Sequence, residues 1–462
     1  MAGIGFELQR VLRRGGVGSF LQVAFAGIII VAGPWLLSIV GIFLITHLAA
    51  SVLREGEQLF LAVVVYSYAF SLMIFGGLHY LFTRIVADQI YEHKDGEAGA
   101  SLALFSAAAF IASALVALPF VLSLDAAGIT RPVLFRVASV GLFAAINLLW
   151  IMMIFVSLLK KFAGIFFAYF SGMAMSVAGT ILLGAGYGLG GAMAGFAAGQ
   201  LAAGLLLWLL LLRAYRPTGF RQLPAIIRNH LGRYRFLVLT GLIYYWGIWV
   251  DKIVFWFGAG YRAGGTFLHL YDAYDIPVYL ASLTMIPGLV YFVVVLETDF
   301  YLQLMQFLKA MERSVLRTIL AEKYRLVRQI SHGVREQALF QAAISAALIA
   351  GAGFLLPRLG FGAVSTAVFD VLVAAVFFNL MFLTLLTLLF YLEVYERAFA
   401  ASLLFFLVNL GISLLTVLTG HLALRGVGYL AAGIIGCVVA YLFLLQSANK
   451  LERLIYMRYS TD

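Results

Sequence analysis

Charge is scarce in this sequence. Asp, Glu, Lys and Arg make up 11% of its 462 residues, against about 25% in a typical soluble domain. With 64% hydrophobic residues and a mean hydropathy of +1.03, the chain cannot cover itself with polar surface, so its main solvent must be lipid. Cysteine is nearly absent: the single Cys437 lies in a late apolar run, which excludes a disulfide within the chain. Proline is rare, with eight in all, so each one inside an apolar run marks a break. No Walker motif occurs, which excludes a built-in ATPase. The histidines (His47, His79, His93, His230, His269, His332 and His421) are scattered without ligand spacing, so neither a metal site nor a cofactor is expected. Gly186-Tyr-Gly-Leu-Gly-Gly191 satisfies GxGxxG, but no strand precedes it and a dinucleotide site does not follow.

What the sequence has is long apolar runs. A helix crosses the hydrocarbon with roughly 20 apolar residues, and only helices or closed barrels satisfy the backbone in lipid. A barrel would show short alternating segments; these runs are long and unbroken. Spans are expected near 19–48, 58–82, 100–123, 136–159, 162–184 and 187–212, then near 236–257, 276–297, 338–357, 367–391, 399–419 and 428–447. The first run is too long for a cleavable signal peptide. The expected fold class is an all-α integral membrane protein of about twelve transmembrane helices in two six-helix bundles. The bundles are 19–212 and 236–447, flanked by an N-terminal amphipathic segment 1–18 and a tail 448–462, and joined by a basic linker 213–235. Trp35, Ile39, Val40 and Phe43 match Trp249, Ile253, Val254 and Phe257 at identical spacing, an echo between the halves. The outer loops leave no room for a soluble catalytic domain, so an enzyme is not expected. Glu55-Gly-Glu57 is similar to the acidic loop of polytopic glycosyltransferases, but those enzymes need large outer loops.

The formal net charge is +10. The basic residues sit between spans, which reads as membrane topology rather than nucleic-acid binding. With the N-terminus inside, 24 Lys and Arg fall on the cytoplasmic side and 6 on the outer side. Both termini are therefore expected in the cytoplasm. Residues 300–335 carry apolar positions Leu304, Leu308, Met311, Val315, Ile319, Leu326 and Ile330 at helical spacing with a basic opposite face. This reads as a cytoplasmic amphipathic helix, continuous or broken, that lies on the inner surface, docks a partner or packs under the bundle. Candidate partner-binding residues are Arg213, Arg216, Arg221 and Arg228 of the linker and Lys309, Arg313 and Arg317 of this helix.

Few residues in the spans carry chemistry. Asp251 and Lys252 interrupt span 7 beside Trp246 and Trp249. A charge near mid-membrane costs about 2.5–3.5 kcal/mol, so such residues face a bundle interior or a watery cavity. Asp251 suits a coupling proton or cation, or a sugar hydroxyl; alternatively Lys252 snorkels to the interface and Asp251 pairs with another helix. Neighbours on a helix point about 100° apart, so the two need not pair with each other. Asn147, Gln200, Asn379 and Asn409 fall near the middles of spans 4, 6, 10 and 11, either gluing helices together or lining a cavity. Tyr271, Asp272, Tyr274 and Asp275 precede span 8 on the outer side, where they either recognise sugar or favour the helix dipole. Gly33-Pro34 in span 1, with Pro277 and Pro287 in span 8, are helix breaks or hinges. Gly191, Gly195 and Gly199 form a small-residue packing stripe.

Several motifs resemble the PelG family, the membrane transporters of the Pel exopolysaccharide system. They are Met1-Ala-Gly-Ile-Gly-Phe-Glu-Leu8, the basic stretch Arg10 to Arg14, Ala26-Gly27 and Gly33-Pro-Trp-Leu-Leu-Ser-Ile39. The resemblance continues at Gly247-Ile-Trp-Val-Asp-Lys-Ile-Val-Phe-Trp-Phe257, Tyr274-Asp-Ile-Pro277 and Glu297-Thr-Asp-Phe-Tyr301, and so covers both halves. The stretch after Tyr301 departs from the family pattern in being strongly basic. The resemblance implies the multidrug/oligosaccharidyl-lipid/polysaccharide (MOP) flippase fold and export of an amino-sugar-rich polysaccharide across a bacterial inner membrane. It also implies a cytosolic glycosyltransferase and other membrane subunits of a secretion complex as partners. A lipid-linked oligosaccharide flippase, a cation-coupled antiporter and a scaffold recruiting a polysaccharide synthase are the alternatives.

Overall fold

The structure is a computed structural model that describes residues 2–12, 14–53, 56–125, 128–158, 162–212, 214–358 and 362–453. Arg213, one of the expected partner-binding residues, lies outside them, as do Arg13, Arg54, Glu55, Lys160, Lys161 and Arg458. The helices are α1 (Ala2–Leu12), α2 (Val17–Val31), α3 (Gly33–Leu48), α4 (Ala50–Leu53), α5 (Glu57–Tyr91), α6 (Asp95–Leu122), α7 (Pro132–Leu158), α8 (Phe162–Leu212), α9 (Leu223–Arg233) and α10 (Arg235–Ala259). A hairpin of β1 (Tyr261–Arg262) and β2 (His269–Leu270) follows. Then come α11 (Asp272–Leu283), α12 (Ile286–Tyr291), α13 (Glu297–Arg313), α14 (Leu316–Arg358), α15 (Ala363–Tyr391), α16 (Tyr395–Leu418) and α17 (Val427–Asn449).

Among the described residues, 10 helical segments are long and apolar enough to cross a membrane, and 11 if the broken pair α2–α3 counts as one span. α8 holds two. Its 51 residues exceed twice the ~20 that a crossing needs, and Gly188 breaks it at φ +62°, a conformation open to glycine. Counted so, the spans number twelve, as hydropathy leads one to expect.

The chain divides into two compact units: Met1–Val31, Trp246–Gly258 and Asp272–Asp462 make the first, Ala32–Tyr245 and Ala259–Tyr271 the second. This differs from a simple division at the linker, and the N-terminal residues show why. In the first unit, Leu8 and Val23 pack with Val290 and Val294, and Val11, Leu12, Ala26 and Ile28 close around them. Gly5 lies against Thr298 and the Val293 carbonyl, and Gly27 against Val290, both too close for a side chain. Gln9 Nε2 donates to Asp299 Oδ1 at 2.8 Å. The apolar face of α1 is thus covered by protein from α12 to α13, and α1–α2 belong with that late segment. The chain passes to the second unit at a helix break, where α3 opens with Pro34 in its first turn, a position where the missing N–H costs nothing.

In the second unit, the two arms of α8 pack on each other through glycine. A Cβ on Gly195 would strike the Gly179 backbone, and one on Gly199 the Ser176 backbone. Small residues let backbones approach where lipid offers no hydrophobic drive. In the first unit, the amphipathic segment 300–335 is broken. It is a hairpin formed by the end of α13 and the start of α14, broken at Ser314 (φ −117°, ψ 163°), and α14 runs on without a break into span 9. Leu304, Phe307, Ile319, Leu326 and Ile330 are buried, while Val315, at the tip, is 72% exposed instead of joining the packed face. Gly195→Leu should lower the melting temperature of the purified protein, because overpacking costs about 1–3 kcal/mol. Gly186→Ala, with open space at its Cβ, should leave it unchanged.

Candidate functional site

The second half of α10 carries the charged pair of the first unit. Asp251 is 0% and Lys252 5% exposed. The two side chains do meet: Lys252 Nζ lies 3.2 Å from Asp251 Oδ1 and also donates to the Ile248 carbonyl at 2.8 Å. The lysine stem curls back along its own helix, which brings neighbours together despite their 100° offset and removes any need to snorkel. Its ammonium sits 5.1 Å from the Tyr429 ring centre and 5.7 Å from that of Trp249. The Tyr274 hydroxyl, from α11, donates to Asp251 Oδ2 at 2.5 Å. The carboxylate therefore has a charge partner on one side and a phenol on the other, and the lysine has two aromatic faces. The cluster is neutral as a whole and closed to water in this conformation.

The residues expected on the outer face divide. Tyr274 is 0% and Asp275 6% exposed, so neither faces outward. Asp275 accepts from the indole Nε1 of Trp256 at 2.8 Å, and the Tyr274 ring packs against Phe255 at 4.7 Å. Both turn inward, where their side chains meet Asp251, Phe255 and Trp256 of α10. Asp272 is exposed in the first turn of α11, where its charge favours the helix dipole. Tyr271 ends the hairpin segment in the second unit.

Two of the four amides, Asn409 and Gln200, join helical segments. In the first unit, Asn409 Nδ2 of α16 donates to the Gly247 carbonyl of α10 at 2.9 Å and its Oδ1 accepts from Ser413. Asn379 is 4% exposed and engaged. In the second unit, Gln200 Nε2 joins the arms of α8 by donating to Ser176 Oγ at 3.0 Å, and the Tyr68 hydroxyl of α5 donates to Gln200 Oε1 at 3.3 Å. Asn147 donates only to its own helix at Phe143, and its Oδ1 has no partner. Trp246 and Trp249 are half-buried.

Both late prolines sit in the α11–α13 span. Pro277 lies within α11, and Pro287 opens α12 after a break at Thr284–Met285. Two glutamines of α14 satisfy carbonyls on either side of Pro287: Gln341 Nε2 reaches Thr284 O at 2.8 Å and Gln337 Nε2 reaches Gly288 O at 3.2 Å. A π-helical turn, Phe292–Leu296, follows. Sequence reasoning missed Gln337 and Gln341, although two amides four residues apart at the head of an apolar run were a usable signal. It also missed Trp256 and Tyr429, for which no local signal exists. The partner-binding candidates Arg216, Arg221, Arg228, Lys309, Arg313 and Arg317 are all exposed; the first three belong to the second unit and the rest to the first.

The architecture has known counterparts. An outward-facing multidrug resistance MATE family transporter of the MOP superfamily superposes with a TM-score of 0.60, at 12% identity, over 97% of this chain and 99% of that one. A MOP superfamily transporter from Pyrococcus furiosus gives 0.56 at 14% identity over 97% and 98%. The lipid II flippase MurJ, in an inward closed conformation, gives 0.56 at 15% identity over 93% and 92%. The protein is thus a multi-pass membrane protein with the MOP transporter fold. Residues 1–456 match the family model "PelG: Putative exopolysaccharide Exporter (EPS-E)", and the chain belongs to that family. No curated protein sequence matches it. Family and fold are those of transporters rather than catalytic enzymes.

Removing one member of a buried ion pair costs about 3–5 kcal/mol, while an apolar replacement of both is often neutral. Asp251→Ala and Lys252→Met should therefore each destabilise the purified protein in thermal melts, and the double variant Asp251→Met/Lys252→Met should recover most of the loss.

Proposed function

We propose that this protein exports an amino-sugar-rich exopolysaccharide from cytoplasm to periplasm across a bacterial inner membrane, with both termini in the cytoplasm. One observation carries the choice of cargo. Lys252 is the one Lys or Arg in the apolar body of a described span, and Asp251 neutralises it at 3.2 Å. A diphosphate-linked carrier would need unpaired cations within the membrane, since phosphate oxygens demand charge-assisted partners there. What the spans supply instead is phenols, indoles and amides: Tyr68 on Gln200, Trp150 on Ser71, and Trp249 beside Lys252. Such groups stack on sugar rings and bond hydroxyls without needing a charge. This favours an uncharged or amino-sugar polymer over a lipid-linked oligosaccharide, and it argues against an antiporter built on a free carboxylate.

Because the Asp251 cluster is closed in this conformation, its part in export is to open in another one, where Tyr274 releases the carboxylate. The α13–α14 hairpin, with exposed Lys309, Arg313 and Arg317 and Leu316 at 68% exposure, supports a recruiting role toward the cytosolic glycosyltransferase and other subunits of a secretion complex. Asp251→Asn should abolish polymer export while the folded protein still accumulates in the membrane; normal export would remove the cluster from the mechanism. Proteoliposomes should move an uncharged amino-sugar polymer and not a diphosphate-linked oligosaccharide, and the reverse preference would overturn the assignment.

A further inference from the structure

From residue 126 to residue 250 the chain contains no Asp or Glu. Inside that stretch lies α9, a short amphipathic helix between two spans, preceded by the tight turn Phe220–Gln222. One side is fastened to the second unit. Leu223 is fully buried. His230 Nε2 lies 3.4 Å from Asp88 Oδ2 on α5, and Arg84, which pairs with Asp88 at 3.3 Å, also donates to the Tyr234 hydroxyl at 3.2 Å. Thr218 N donates to the Gly96 carbonyl at the start of α6 at 2.9 Å. Asp88 and Gly96 stand at the ends of two spans, and α9 itself runs between the end of α8 and the start of α10. Four spans therefore end around α9, which fixes it at a bilayer edge.

The other side is unpartnered. Phe220 is 50% and Leu231 45% exposed, and Arg221 and Arg228 are exposed with no acidic partner among the described residues. Continued at helical pitch through the turn, Phe220 and Leu231 fall within about 20° of each other, and Arg221 and Arg228 likewise, so the turn and α9 carry an apolar stripe beside a basic one, about 80–100° apart. Two apolar side chains beside two arginines, held at the membrane boundary, have the composition of an interfacial lipid-binding helix.

We infer that the outer face of α9 binds anionic phospholipid headgroups. Phe220 and Leu231 enter the acyl boundary while Arg221 and Arg228 hold phosphates, each by a charge-assisted bond. A protein partner is disfavoured, because a face this close to the bilayer meets headgroups first. The inference does not depend on what the transporter carries.

The test uses the full chain in nanodiscs of phosphatidylcholine alone or mixed with phosphatidylglycerol, read by amide hydrogen exchange across 220–233. Exchange should be slower in the anionic discs by about tenfold. Arg221→Gln/Arg228→Gln and high salt should each return it to the phosphatidylcholine rate, with exchange in α5 and α10 unchanged as the control for folding. Phe220→Ser/Leu231→Ser should weaken the protection in both discs. Equal exchange in the two discs overturns the inference, as does protection that survives the double arginine substitution. Protection reproduced by inorganic phosphate in phosphatidylcholine discs overturns the headgroup as its source, and protection that appears only with an added soluble protein assigns the face to a protein.

Discussion

A bilayer offers no hydrogen-bond partner, and this constraint decides most of what is unusual in the chain. Every backbone carbonyl released at a break must be met by another protein group, at several kcal/mol if it is not. The α11–α13 span shows the consequence most fully. Pro287 and the Thr284–Met285 turn interrupt its ladder; Gln341 of α14 meets Thr284 O, and Gln337 adds a bond to Gly288 O, which also accepts from the Phe292 N–H. At the π-helical turn, Thr298 Oγ1 donates back to Val293 O at 3.1 Å, and α1 covers the site with Gly5. Broken helices are affordable in lipid only where protein supplies such partners, and here the partners come from helices distant in sequence.

The same constraint bears on the charged pair. Two charges placed in a span cost more than apolar residues of the same volume, even when paired. Stability therefore does not account for Asp251 and Lys252.

Much of the architecture was legible in the sequence, because hydropathy reports lipid exposure residue by residue. The twelve spans follow from apolar runs, the division of α8 from Gly186 to Gly188, and the breaks from Pro34 and Pro287. Asp251 and Lys252 stood out because charge is rare in such runs. What was not legible is pairing at long range. Nothing near Gly5 or Leu8 says that α1 packs on residues close to 293. Tyr274 and Asp275 read as outer-face residues because their sequence position is near a span end, whereas the fold lays that end against α10. Tyr429 is one tyrosine among 23 until the structure sets it over Lys252.

The geometry of the pair also indicates which motion it can report. Lys252 and Asp251 lie on one helix, so a shift of α10 carries both and leaves the ion pair intact. Two bonds join α10 to α11: the phenol of Tyr274 to Asp251 and the indole of Trp256 to Asp275. Without the phenol bond, Asp251 would keep Lys252 as its partner. α11 ends at the break before Pro287 and is not continuous with α12. The amides of α14 hold the far side of that break while the near side carries Tyr274. A support from α14, a discontinuity and a hydrogen bond to a buried charge thus lie in sequence along one span.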